Sequence, residues 1–139
     1  MIIAVLDTNI LVSSLLAPGP PAVIVDLIAD GRLIPVYNDL ILQEYRDVLS
    51  RRKFAFSATQ IIRLIDNITK AGIAFKRQPP SKMKMLDDED RVFYDTAAQA
   101  KAYLVTGNTK HFPGQPFIVT PAQFLLIYRK AETENSYRC

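Results

Sequence analysis

MIIAVLDTNILVSSLL, residues 1–16, decides how this chain is read. Ile2 to Leu6 form a short, continuous apolar run rich in β-branched side chains. Such a run suits a strand buried on both faces of a parallel sheet. It ends on Asp7, an ionisable carboxylate, followed by the small hydrogen-bonding residues Thr8 and Asn9. The chain then turns apolar again in "NILVSSLL", a short helix stopped by Pro18 and Gly19. A strand that delivers a carboxylate to its own end needs partners elsewhere in the chain.

Working outward, "PPAVIVDLIADG" has proline at its start and Gly31 just past its end, the expected asymmetry of a helix. "RLIPVY" reads as a second strand, with Pro35 a mild objection. "NDLILQEYRDVLSRRKF" is a helix capped by Asn38, its apolar stripe at Ile41, Leu42, Tyr45, Val48 and Leu49. Ser57 and Gln60 fit a capping box ahead of Ile61, Ile62, Leu64, Ile65 and Ile68. "IAF" is a weaker strand, and "KRQPPSKMKM" a basic, proline-containing loop. "DDEDRVFYDTAAQAKA" reads as a helix with an acidic first turn, which suits the helix dipole. "YLVT" and "PFIVT" are strands, and Thr120-Pro121 opens the last helix. Strands alternate with helices throughout. The expectation is an α/β domain of three layers, a parallel sheet with helices on both faces in Rossmann-type alternation. Residues 1–130 form that domain, and residues 131–139 are expected to be a flexible tail.

The bulk composition narrows the class. At 139 residues and 49% hydrophobic, the chain is long enough for one domain with a proper core. The net charge of +3 is a mild basic excess, compatible with a nucleic-acid partner. Cys139 is the single cysteine, which excludes an intrachain disulfide and a cysteine-based zinc site. A signal-peptide pattern is missing, and no apolar run approaches the roughly 18 residues of a membrane span. The expected compartment is the cytoplasm, with no membrane partner.

In open parallel sheets, sites form at the carboxyl ends of the strands. Asp7 lies there after the first strand; Thr106, Gly107 and Asn108 lie there after "YLV". Glu44 sits at the edge of its helix's apolar stripe, three residues after Ile41 and four before Val48, so it faces partly toward the sheet. Asp87, Asp88, Glu89 and Asp90 cluster ahead of "YLVT". Gathered carboxylates repel one another unless a cation joins them. Oxygen ligands without cysteine or clustered histidine suit Mg²⁺ or Mn²⁺. Each residue also has an ordinary use: Asp7 as a helix cap, Glu44 as a solvated helix residue, the acidic run as a dipole match, Asn108 as a turn residue.

With those segments in that order, the sequence resembles the PIN-domain ribonucleases, and within them the toxin-like branch related to VapC toxins. The resemblance rests on "VLDTNILVSSLL", "LILQEYRDVL", "DDEDRVFYDTAAQAKAYLVTGNTKHF" and "IVTPAQFL". It implies a PIN-like fold and an endoribonuclease that cuts RNA with Mg²⁺ or Mn²⁺ held by three or four acids. Carried over by position, the first acid is Asp7 and the second Glu44; counting back from Val105 gives Asp90 as the third. The fourth family position, often Asp, is Asn108 here, a neutral ligand that adds no charge. Asp7 becomes the central metal ligand, with Thr8, Asn9 and Thr106 orienting it or touching substrate. Asp95 is a secondary candidate, although it lies five residues beyond Asp90, about 140° around a helix. Lys82, Lys84, Arg91 and Lys110 are rim candidates for the RNA backbone, and His111 is expected at the rim rather than as a general base. The resemblance also implies a cognate antitoxin partner and a homodimer that covers apolar residues such as Leu11, Leu15 and Leu16.

Other classes fit less well. A haloacid-dehalogenase-type phosphatase needs an acid two residues after its first Asp, where this chain has Asn9. A receiver domain needs an acid pair near the first strand and a phosphoacceptor Asp ending a middle strand, and neither is found. The remaining alternative is a catalytically weak RNA- or protein-binding module on the same fold.

Overall fold

The computed structural model describes residues 2–138, with side chains as far as Asn135. The opening apolar run becomes strand β1 (Ile3–Leu6), with Ala4, Val5 and Leu6 buried. Helices and strands then alternate: α1 (Thr8–Leu16), α2 (Pro20–Ala29), β2 (Ile34–Tyr37), α3 (Asp39–Leu49), α4 (Ala58–Ala71) and β3 (Ile73–Ala74). After a long polar segment come α5 (Arg91–Ala100), β4 (Tyr103–Val105), β5 (Ile118–Val119) and α6 (Pro121–Arg138). The five strands form one sheet in the order β3-β2-β1-β4-β5, and every neighbouring pair is parallel. The fold is therefore α/β, a parallel sheet flanked by six helices, as the alternation of the sequence predicts.

β1 lies at the centre, Ile3 beside Ile34 of β2 and Leu6 beside Val105 of β4. The chain winds outward to β2 and β3 on one side and to β4 and β5 on the other. That reversal opens a crevice beyond the carboxyl ends of β1 and β4, where ligands bind in open α/β sheets.

Local chemistry sets the helix starts. Asn38 Oδ1 accepts from the Ile41 amide at 2.9 Å and begins α3. Ser57 and Gln60 bond reciprocally ahead of α4, and Thr120 and Gln123 do the same for α6. Pro35 sits in an interior strand without cost. The Ile34 amide points to Ile2 of the first strand segment, so the proline nitrogen points the other way, toward β3. Pairing with β3 begins only at Val36 opposite Ile73. At the same junction an added Cβ on Gly72 would lie 2.5 Å from the Pro35 carbonyl oxygen and 2.6 Å from that of Ile68. Only glycine lets the end of α4 pass this close to β2.

Three expectations change. The acidic run is not the first turn of the following helix: Asp88–Asp90 form a separate 3₁₀ turn, and α5 starts at Arg91. Asp87 stabilises that turn by accepting from the Glu89 amide at 3.0 Å, a local bond that competes with helix. Leu11 is fully buried and Leu15 half-buried, so of the three leucines only Leu16 is exposed, at 60%. The last helix does not stop at residue 130 but runs on to Arg138. Within that extension Glu132 accepts from Arg32 at 2.7 Å and from the Tyr128 hydroxyl at 2.6 Å. Cys139 lies outside the described residues. Among those residues no single helix is long and apolar enough to cross a membrane; α1 and α2 are apolar enough only as a pair, which is bent by 100°.

Candidate active site

Asp7 joins the two central strands. Its amide donates to the Val105 carbonyl at 2.9 Å, and its own carbonyl accepts from the Ile10 amide at 3.0 Å to open α1. Although Asp7 occupies the cap position of α1, its side chain makes no capping hydrogen bond. Its Oδ2 instead accepts from the Thr106 hydroxyl at 2.8 Å and from the Asn9 amide group at 3.3 Å. Asn9 Oδ1 accepts from the Gly107 amide at 3.2 Å, and the Asn108 amide donates to the Thr106 hydroxyl at 3.1 Å. The two strand ends are thus laced together around one carboxylate. Beneath them the buried Tyr45 hydroxyl donates to the Leu6 carbonyl at 2.6 Å and fixes α3 against β1. Burial raises the Asp7 carboxyl above its ordinary range, and the Thr106 hydrogen bond works against that rise.

Two more acids share this field. Glu44, half-buried on α3, is raised first by burial, then by Glu89, and also by Asp47 and Asp7, while Arg51 pulls the other way. Asp90, at the junction of the 3₁₀ turn and α5, is pushed up to about 6 by burial, then by Asp7 and Asp87. His111, exposed in the turn after β4, lowers both Asp7 and Asp90. Glu89 acts on both Glu44 and Asp90. Spacing singles out one acid of a run of four and misses the neighbour that bridges the other two.

Asp95 lines the same cleft as Glu44 and is held there by Ser81. Asp95 is buried, and its two oxygens accept from the Ser81 amide at 2.9 Å and from the Ser81 hydroxyl. Ser81 was invisible as a partner because the pair is brought together by the path of a long loop. Arg91 is likewise no free rim cation. It pairs with Asp88 at 2.8 Å and donates to the carbonyls of Ser81 and Met83 at 2.8 and 2.7 Å. Lys82, Lys84 and Lys110 are exposed. Thr8 is buried beside Asp7, and its hydroxyl is the one buried side-chain polar atom among the described residues without a hydrogen-bond partner.

The side chains in this shared field are all oxygen donors, carboxylates and the Thr106 hydroxyl, which is the chemistry of a hard divalent cation. Asp7 raises both Glu44 and Asp90, a repulsion of like charges that a cation would relieve. Among the described residues no three His, Cys, Asp or Glu side chains stand close enough together to hold one ion as they are placed. The donor types fit such an ion. A family model described as PIN domain matches residues 4–110, well over half the chain.

The chain belongs to the PIN-domain family.

No curated protein and no solved structure matches it. PIN domains are generally nucleases and typically use divalent metals. In this PIN domain the matched residues span every acid described above, from Asp7 to Asp90, and the Thr106–Asn108 turn.

Proposed function

We propose that this PIN domain is a Mg²⁺- or Mn²⁺-dependent endoribonuclease and the toxin of a toxin–antitoxin pair. The observation that carries the nuclease reading is the half-buried carboxylate of Asp7, held by Thr106 at the switch point of the sheet and sharing an electrostatic field with Glu44 and Asp90. Asp7, Glu44 and Asp90 would hold the cation, with Asn108 as a neutral fourth position. When bound, such an ion supplies positive charge against a phosphate and makes a water more acidic. Thr106 and Asn9 keep the Asp7 carboxylate from rotating away. Lys82, Lys84 and Lys110 place uncommitted positive charge for the phosphodiester backbone. Asp7→Asn keeps the size of the side chain and removes its charge. It should lower the cleavage rate by at least about 10²-fold, the scale on which loss of one electrostatic stabiliser is felt. Purified protein is offered a mixed RNA pool with Mn²⁺ and with EDTA; equal cutting in both would refute the metal-dependent reading.

The toxin role and the antitoxin partner rest on the likeness of the sequence to that branch. A small gene immediately upstream that encodes a DNA-binding protein would support them. A homodimer through α1 and α2, where Leu16 and Val23 are exposed, belongs to the same reading. Light scattering that gives only the 15.6 kDa monomer at high concentration removes it. One observation favours the second reading, a catalytically weak RNA- or protein-binding module: among the described residues no three acids stand within reach of one ion. Titration with Mn²⁺ separates the two, since a pure binding module need not bind it through Asp7.

A further inference from the structure

Beside the carboxylates lies a cleft of about 450 Å³ between α3, α5 and residues 77–80. Glu44 belongs to both, so a chain threading past Asp7 has this cleft at its next position. Its walls are fixed: Asn38 Nδ2 donates to Thr96 Oγ1 at 3.0 Å and ties the start of α3 to α5. Leu40, Pro80 and Val92 supply apolar surface.

The charges of the cleft say what it rejects. Two cations line it, and both are committed, Arg77 to Asp39 at 2.8 Å and Arg91 to Asp88 and loop carbonyls. Five acids line it: Asp88 is paired with Arg91 and Asp95 is held by Ser81, while Glu44, Asp47 and Glu89 remain. A phosphate is repelled there. Within an RNA strand the part that can enter is therefore the base, which carries no negative charge and offers hydrogen-bond donors. Gln43 and Gln99, exposed on facing helices, add amides that donate and accept, the pattern that reads base edges. Carboxylates accept from the exocyclic amines of cytosine and adenine, each with two N–H donors, whereas uracil has no amine and offers a single ring N–H between two carbonyls. The volume falls within the roughly 300–1,000 Å³ of ordinary ligand sites, room for an unstacked base and its sugar.

We propose that the α3–α5 cleft is a nucleobase subsite, read by Gln43, Gln99, Asp47 and Glu89, that selects an amino-bearing base next to the cleavage position. The proposal rests on the nuclease reading for the path of the strand, and it is tested apart from cleavage. Fluorescence anisotropy in EDTA compares short oligomers of adenosine, cytidine and uridine on the whole chain. The adenosine and cytidine oligomers should bind about tenfold more tightly than uridine, the low end of discrimination by one good base contact. The double variant Gln43→Ala/Gln99→Ala and the single variant Asp47→Asn should each narrow that ratio to about twofold or less, with circular dichroism checking that they fold. Equal affinity for the three oligomers overturns the proposal, as does a ratio that survives in both variants. Cleavage with Mn²⁺ but no base preference leaves the nuclease reading and removes the subsite. A base preference that the variants abolish, in a chain that cuts nothing, does the reverse.

Discussion

Asp90 is an ordinary carboxyl in surroundings that oppose its charge. Its pKa of about 6 against a usual 3.8 means the folded chain holds a proton there that the unfolded chain has already released. Stability from this group is therefore fully present below pH 3.8 and is lost as pH rises through about 6. Asp90→Asn removes the penalty. In EDTA at pH 7 it should stabilise the fold by about 1 kcal/mol, a figure discounted because the group is partly solvated, and by nothing near pH 3.5. Thermal melts across that range check it; a variant less stable than wild type at pH 7 contradicts it. The neighbouring acid behaves otherwise. Asp95→Ala frees the half-buried Ser81 amide and hydroxyl, and losing these hydrogen bonds should cost about 1 kcal/mol. Isothermal titration should find Mn²⁺ binding weakened by Asp90→Ala and kept by Asp95→Ala. The opposite result would make Asp95 the direct third acid.

Elements show where reading from sequence reaches and where it stops. β1 was legible because a doubly buried strand writes itself as an unbroken apolar run, and the caps at Asn38 and Ser57 because their bonds span three residues. The acidic run was ambiguous for a physical reason: four acids suit a helix start and a capped 3₁₀ turn equally well. The α6 boundary was missed because charged residues on a solvated helix face resemble a tail; of the partners of Glu132, Tyr128 is one helical turn away, but Arg32 lies 100 residues earlier and leaves no local pattern. Long-range pairings such as Ser81 with Asp95, or Gly72 against Pro35, leave no local pattern at all. Gly72 offers the cleanest test at this scale. Its φ of −99° suits any residue, so only space demands glycine. Gly72→Ala must push α4 away from a backbone carbonyl, at a cost of about 1–3 kcal/mol. A denaturant midpoint unmoved by the substitution would show that the α4–β3 junction yields freely.

At the scale of the whole molecule, the sheet brings together acids from three separate parts of the chain. Asp7 follows the central strand, Glu44 rides on α3, and Asp90 precedes α5. Without a cation, folding has to bring these like charges together, so the site works against the stability of the sheet that builds it. A cation that binds only the folded chain reverses that relation and adds stability as its concentration rises above the dissociation constant. At a hundredfold excess the gain is about 2.7 kcal/mol, roughly 8 °C in melting temperature for a domain of this size. Manganese should therefore raise the melting temperature of the wild type at pH 7, and EDTA should reverse the rise. Asp7→Asn should lose most of the response, because the ligand that the strand positions is then neutral. Lys82→Ala, far from the carboxylates in charge and role, should keep it. Lowering the pH to 5 should also shrink the response, since Asp90 with a pKa of about 6 is then mostly protonated and a cation has to displace that proton. A melting temperature indifferent to Mn²⁺ at pH 7, or an equal rise in Asp7→Asn, would mean that the three acids do not close on a shared ion.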